Sequence, residues 1–267
     1  MNRVFSQGLK LIHRTTGRFL PAGIFARNYP GVPGRIHVDD PMLPVDSPRE
    51  LRHYVEDAQS AIANIEESLH VVGRTFRDVA SCLDLPCGYG RVTRFLCEKV
   101  ASIHITACDI DPQAIRFCAR EFQVKALLSR RDIRAVPFPD RYDLIFVGSL
   151  LTHLPEVDCL HTLDALVDVL APGGVLVFST QGESCLRHLE WYGAEFVAAA
   201  ERFRRDLAHR GVCFVPYRRR KDYGITIHAQ RYIEGVMAQR YRGTLRFGRF
   251  KERGWDGHQD VWSYCRF

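Results

Sequence analysis

In V-A-S-C-L-D-L-P-C-G-Y-G-R-V-T-R-F-L, from Val79 to Leu96, an apolar run meets an acid, then two glycines, then a helical pattern. The apolar residues near 79–84 read as a short strand with Asp84 at its carboxyl edge. Gly88 and Gly90 allow a turn in which the backbone passes close to a ligand. A helix over about 91–100 would then aim its free N–H groups at whatever is bound.

A second acid follows at a telling distance. A-S-I-H-I-T-A-C, from Ala101 to Cys108, predicts a strand near 103–108, and Asp109 ends it. A carboxylate about 20 residues beyond a glycine turn is where nucleotide-binding α/β units hold ribose hydroxyls.

From here strands and helices alternate. Pro112 opens a helix over 112–122, a short strand follows near 124–128, and Tyr142 to Val147, Y-D-L-I-F-V, is apolar enough to be buried on both faces. Glu156 to Leu170 predicts a helix closed by Pro172-Gly173-Gly174, and Val175 to Ser179 the next buried strand. Alternation of this kind predicts an α/β fold with a doubly wound, mainly parallel sheet and helices on both faces.

Outside this core the patterns change. Prolines at 21, 30, 33, 41, 44 and 48 make residues 1–47 an irregular N-terminal extension. Ser47-Pro48-Arg49-Glu50 is a helix start, and Leu51, Val55, Ala58, Ile62, Ile65 and Leu69 carry the helix to about Val72. Residues 48–267 form one domain, with 181–243 as a substrate-side lid insertion. Within that insertion, Leu186 to His209 is expected to be helical and 211–228 a Tyr- and Arg-rich connection. Ala229 to Arg240 predicts a helix, and Thr244 to Lys251 and Asp260 to Phe267 two closing strands joined by E-R-G-W-D-G-H-Q.

Composition narrows the class. The 267 residues suffice for one large core, with 46% hydrophobic and 25% charged residues. No apolar run reaches the roughly 18 residues of a membrane span. Lys10, His13 and Arg14 interrupt Leu9, Leu11 and Ile12, so no secretory signal is expected. Nine cysteines, an odd number without a CxxC pair, suggest free thiols in a reducing cytoplasm. Cys87, in the glycine turn, reads as a small residue in a tight space. The net charge of +6 includes Arg202, Arg204, Arg205 and Arg210 on an amphipathic face, and a compact Arg218-Arg219-Arg220-Lys221 patch.

Over about 75–267 these segments resemble the class I S-adenosylmethionine-dependent methyltransferases. The resemblance implies a Rossmann-like, seven-stranded sheet ending in an antiparallel hairpin, with S-adenosylmethionine as cofactor. In the family an acid-x-Gly-x-Gly-x-Gly turn wraps the methionine part. Here it is Asp84-Leu85-Pro86-Cys87-Gly88-Tyr89-Gly90, with Pro86 in place of the first glycine. By the same resemblance Asp109 holds the ribose diol and Ile110 lies against adenine. Asp132 and Ile133, in R-D-I-R-A-V-P-F, meet the adenine amino group and a ring nitrogen. Gly148 and Ser149 pass close to the sulfonium.

On the acceptor side, His153 follows a strand at the ligand-binding edge and is a candidate base, with a structural histidine as the alternative. Glu183, Tyr223, His258 and Asp260 are candidate substrate contacts, and no metal site is expected. A dehydrogenase is disfavoured by Thr93 where a third glycine should stand, and a serine hydrolase by the lack of a Gly-x-Ser-x-Gly elbow at Ser149. The leading expectation is O- or N-methylation of a small-molecule or sugar-like acceptor. An RNA methyltransferase using 218–221 and a non-catalytic binder of the cofactor are the alternatives. The sequence does not speak to oligomeric state.

Overall fold

The computed structural model describes residues 26–43 and 45–267, so most of the expected irregular extension, including Pro21 and Pro44, lies outside the described residues. The described part begins with a two-residue antiparallel pair, β1 (Ala26–Arg27) and β2 (Ile36–His37). Helix α1 (Pro48–Val71) follows, capped as the sequence predicts: the Ser47 hydroxyl accepts from the Glu50 N–H at 3.2 Å. The alternating core comprises β3 (Cys82–Leu85), α2 (Thr93–Leu96), β4 (Ile105–Asp109), α3 (Pro112–Phe122), β5 (Lys125–Leu128), β6 (Tyr142–Val147), α4 (Glu156–Val169) and β7 (Leu170–Gln181). Beyond it come α5 (Ala194–Ala198), α6 (Ala200–Arg210), β8 (Val212–Tyr217), β9 (Arg220–His228), α7 (Gln230–Arg240), β10 (Leu245–Trp255) and β11 (Gln259–Arg266).

The sheet runs β10-β11-β7-β6-β3-β4-β5. From β7 to β5 the neighbours are parallel, while β11 is antiparallel to β7 and β10 to β11. This is the doubly wound, Rossmann-like sheet with its closing hairpin. The direction of winding reverses between β3 and β6, which opens a crevice at their carboxyl ends.

Burial explains why the central strands are mostly apolar. In β6, Leu144 and Phe146 join a core containing Ile62, Ile65 and Leu69 of α1 and Ile115 and Phe117 of α3. Ile145 and Val147 point to the opposite face, against Leu163, Leu166 and Val167 of α4 and Ile233 and Met237 of α7. Alternate residues of one strand thus serve two cores, so no position can be polar without cost.

Three expectations are corrected. The helix over 91–100 shrinks to Thr93–Leu96, flanked by turns whose bonds alternate between three- and four-residue spacing. The helix over 186–209 is broken into two 3₁₀ turns, α5 and α6; Gly193, at φ +130°, interrupts it. The 211–228 connection is an antiparallel hairpin, β8–β9, and β9 touches the main sheet where Ile227 pairs with Gln181. It adds two strands to the seven and has its own core, with Phe196, Phe203 and Leu207 packed on Cys213, Val215, Ile225 and Ile227.

Candidate functional site

A cleft of about 1940 Å³ opens at the carboxyl ends of β3, β4 and β6. The glycine turn forms its floor. Gly88 has φ +50°, and a Cβ added there would meet nothing within 4 Å, so the turn leaves open space above it. Gly90 is held for the opposite reason. At φ +81° its missing side chain makes room for the Phe122 ring, which an added Cβ would approach to 2.5 Å. Pro86 and Cys87 line the cleft, and burial pushes the Cys87 thiol well above its ordinary value, which leaves it a packing group.

Two acids stand at this floor. Asp84 is 1% exposed and accepts from the Thr93 hydroxyl at 2.6 Å. Burial raises its carboxyl to about 7, against the lowering effect of that hydrogen bond. Thr93, which the sequence offers only as a missing third glycine, thus ties the helix after the turn to the strand before it. Asp109 accepts from the Gly88 N–H and the Asp111 N–H, each at 2.8 Å. Burial raises its value too, while those N–H donors pull it down. Ile110, 59% exposed, lies on the rim beside it.

The open space over Gly88, two buried acids and an apolar rim at Ile110 suit a ligand with a cationic part, a diol and a flat base. The residues present therefore fit S-adenosylmethionine. Asp109→Ala is expected to weaken binding of S-adenosylhomocysteine by about 1.5–3 kcal/mol through loss of a charged acceptor. Calorimetric titration checks this, and an unchanged affinity would remove Asp109 from the ribose.

The other wall is built by segments far apart in sequence. A Cβ on Gly148 would come within 2.7 Å of Trp255, whose indole N–H donates to the Asp57 carbonyl of α1 at 2.9 Å. Ser149 has φ +58°, unusual for a residue with a side chain. A buried network holds it there. The Ser149 N–H donates to Ser179 Oγ at 2.8 Å, the Ser179 hydroxyl to Gln259 Oε1 at 2.7 Å, and Gln259 Nε2 to Ser149 Oγ at 3.0 Å. Gln259 closes this loop, although in the sequence it is one polar residue among three.

His153 lines the same wall. One ring nitrogen, Nδ1, lies 2.8 Å from the Gly224 carbonyl, which can only accept. Nδ1 therefore carries the proton and Nε2 a lone pair. Burial lowers the ring's value, which keeps it neutral. Tyr223 stacks on it with centroids 4.9 Å apart.

Several expected residues are not brought to the cleft. Asp132 turns its carboxylate to the Arg134 guanidinium, at 2.9 and 3.0 Å, and Ile133 is buried in the core beneath α4. Glu183 is exposed on a 3₁₀ turn. His258 leans on the Asp256 carbonyl at 3.4 Å. Asp260 accepts from the Arg253 N–H at 2.8 Å within the closing hairpin, and burial raises it to about 6. Conversely, Arg35, His37, Asp39, Asp40 and Met42 line the cleft although the sequence marks them only as irregular. Among the described residues no cluster suited to a metal ion is found, and no helix is long and apolar enough to cross a membrane.

Comparison with known proteins agrees with this geometry. Residues 82–174 match the family model described as a methyltransferase domain. Trans-aconitate 2-methyltransferase of Streptomyces avermitilis is 32% identical over 139 residues, 50% of this chain and 46% of that protein. Malonyl-[acyl-carrier protein] O-methyltransferase of Acetivibrio thermocellus is 27% identical over 158 residues, 58% of this chain and 54% of that protein. The chain thus spans about half the length of the curated relatives it matches. The N-methyltransferase NodS of Bradyrhizobium japonicum, solved with S-adenosyl-L-homocysteine, shares the fold with a TM-score of 0.51 at 18% identity, covering 85% of this chain and 92% of that one. Residues 82–174 thus carry a methyltransferase domain, set in a fold shared with a solved N-methyltransferase.

Proposed function

We propose that the chain methylates an oxygen or nitrogen of a small-molecule acceptor, with His153 as the base. The observation that carries this reading is the fixed tautomer of His153, whose Nδ1 is engaged by Gly224 while the ring lines the cleft beside Ser149. S-adenosylmethionine supplies an electrophilic methyl group that brings its own leaving group. The protein's part is to place the acceptor, exclude water and remove a proton. Asp84, the Cys87–Gly88 backbone and Asp109 would hold the cofactor, with Ile110 beside the base. His153 Nε2 would take the proton from an acceptor hydroxyl or amine.

The region 181–243 would serve as the acceptor's lid. In support, Gly224 N–H donates to the His153 carbonyl at 3.0 Å and Thr226 N–H to the Thr152 carbonyl at 2.8 Å, so the hairpin is pinned against the cleft wall. The two relatives are named for trans-aconitate and malonyl-[acyl-carrier protein], which favours a non-nucleic-acid acceptor here. Nine unpaired thiols suit a reducing cytoplasm.

His153→Ala is expected to slow turnover by about a hundredfold while leaving affinity for S-adenosylhomocysteine unchanged. Because the base acts when neutral, turnover should rise with pH and level off below the ordinary histidine value, since burial lowers the ring's pKa. Release of S-adenosylhomocysteine, followed over a panel of hydroxyl and amine acceptors, measures this. Binding without turnover on any acceptor would favour a non-catalytic binder, and a fully active variant would make His153 structural.

A further inference from the structure

The hairpin brings a second recognition element to the cleft. Arg220 is the first residue of β9, and its guanidinium lies 4.9 Å from the centroid of the Tyr223 ring. Tyr223 stacks in turn on His153, 4.9 Å away and tilted by 22°. The three side chains form one layer along the wall that also carries Ser149 and Leu150. Their backbone is fixed at several points. Besides the two bonds to Thr152 and His153, Asp222 pairs with Arg131 beyond β5.

The charge of Arg220 has no match. Of the other arginines in the cleft, Arg35 pairs with Glu121 at 2.5 Å and Arg91 with Asp57, while Arg116 and Arg120 of α3 have no ion pair among the described residues but do not share the layer of Tyr223 and His153. Among the described residues no carboxylate pairs with Arg220, and its positive neighbours Arg218, Arg219 and Lys221 cannot supply one. A guanidinium already ordered on an aromatic face loses little further freedom when it binds, and its fork fits carboxylate or phosphoryl oxygens.

We propose that Arg220 is an anion-binding subsite, and that the methyl acceptor carries a carboxylate or phosphoryl group apart from the atom that is methylated. His153 separates the two ends of that acceptor. Its Nε2 lone pair suits a hydroxyl or amine that must lose a proton, and would repel a carboxylate oxygen offered for methylation. The assignment of the methylated end rests on the function proposed above; the anion subsite does not.

The test uses the full chain, first shown to bind S-adenosylhomocysteine, so that failure of the cofactor reading is seen separately. With that ligand saturating, acetate and inorganic phosphate are titrated by calorimetry against chloride at matched ionic strength. One of them is expected to bind, and Arg220→Gln to weaken it by about tenfold or more, with Arg220→Lys in between. Preference for acetate or phosphate tells which anionic group the acceptor carries. Equal affinity in wild type and Arg220→Gln, or no binding of either anion at tens of millimolar, overturns the subsite. A single-stranded RNA oligonucleotide that binds more tightly than either anion, and is lost on Arg220→Gln, overturns the small acceptor in favour of a nucleic acid.

Discussion

Arg94→Leu is expected to destabilise the folded chain by about 3–5 kcal/mol, the range found when one partner of a buried charged network is removed. Arg94 is fully buried, at 0% exposure. Its guanidinium donates to four carbonyl oxygens: Gly90 at 3.0 Å, Pro33 at 3.1 Å, Arg35 at 3.2 Å and Tyr89 at 3.3 Å. Two of these belong to the glycine turn and two to the segment that precedes α1. The same cation lies over the rings of Tyr54 and Phe122 and lowers the raised value of the buried Asp40. Leucine fills part of the volume but leaves the carbonyls without these donors and Asp40 with only the charge of Arg91 nearby. The relief available is for residues 33–43 to come away and be hydrated. Hydrogen exchange should therefore accelerate in 33–43 first, together with a lowered denaturation midpoint. A variant within about 1 kcal/mol of wild type, with exchange unchanged there, would show that the strap is held by other contacts.

Arg94 also marks where the sequence stops being legible. The sheet could be read because its strands must be apolar on both faces and its turns need acids and glycines at fixed positions. Y-D-L-I-F-V and Pro112–Phe122 appear in the structure with the bounds the pattern suggests. The floor of the cleft could be read for the same reason, since Asp84, Gly88 and Asp109 act locally. Arg94 could not, because an arginine in a helical run reads as a solvated residue, and its acceptors lie about 60 positions away, as the separations of 61 and 59 residues to Pro33 and Arg35 show. Gln259 is hidden likewise: its partners Ser149 and Ser179 stand 110 and 80 residues back. The β8–β9 hairpin is obscured by composition. Its tip is cationic while V-C-F-V and I-T-I-H bury their apolar residues against α6, a contact that only tertiary structure reveals.

His228→Phe is expected to separate from wild type as the pH falls. His228 is 2% exposed, its Nδ1 has no hydrogen-bond partner, and burial lowers its value from 6.5 to about 4. Between those values the unfolded chain binds a proton that the folded chain excludes, so stability rises with pH and is lost on acidification. Over the full window the loss approaches about 3 kcal/mol. Asp84 and Asp260 act in the opposite sense. Their folded values, about 7 and about 6, lie above 3.8, so the folded chain binds more protons and stability falls as pH rises through that range. The two trends offset one another in the wild type, whose own curve is therefore uninformative. The difference between wild type and variant isolates the histidine. At neutral pH the variant should be at least as stable, because an apolar ring of similar shape replaces a buried nitrogen that lacks a partner. Near pH 4 it should be the more stable by about a further 2–3 kcal/mol. Urea denaturation of the two proteins across this range measures the gap, and a gap independent of pH would mean that His228 takes up its proton in the folded chain as readily as in the unfolded one.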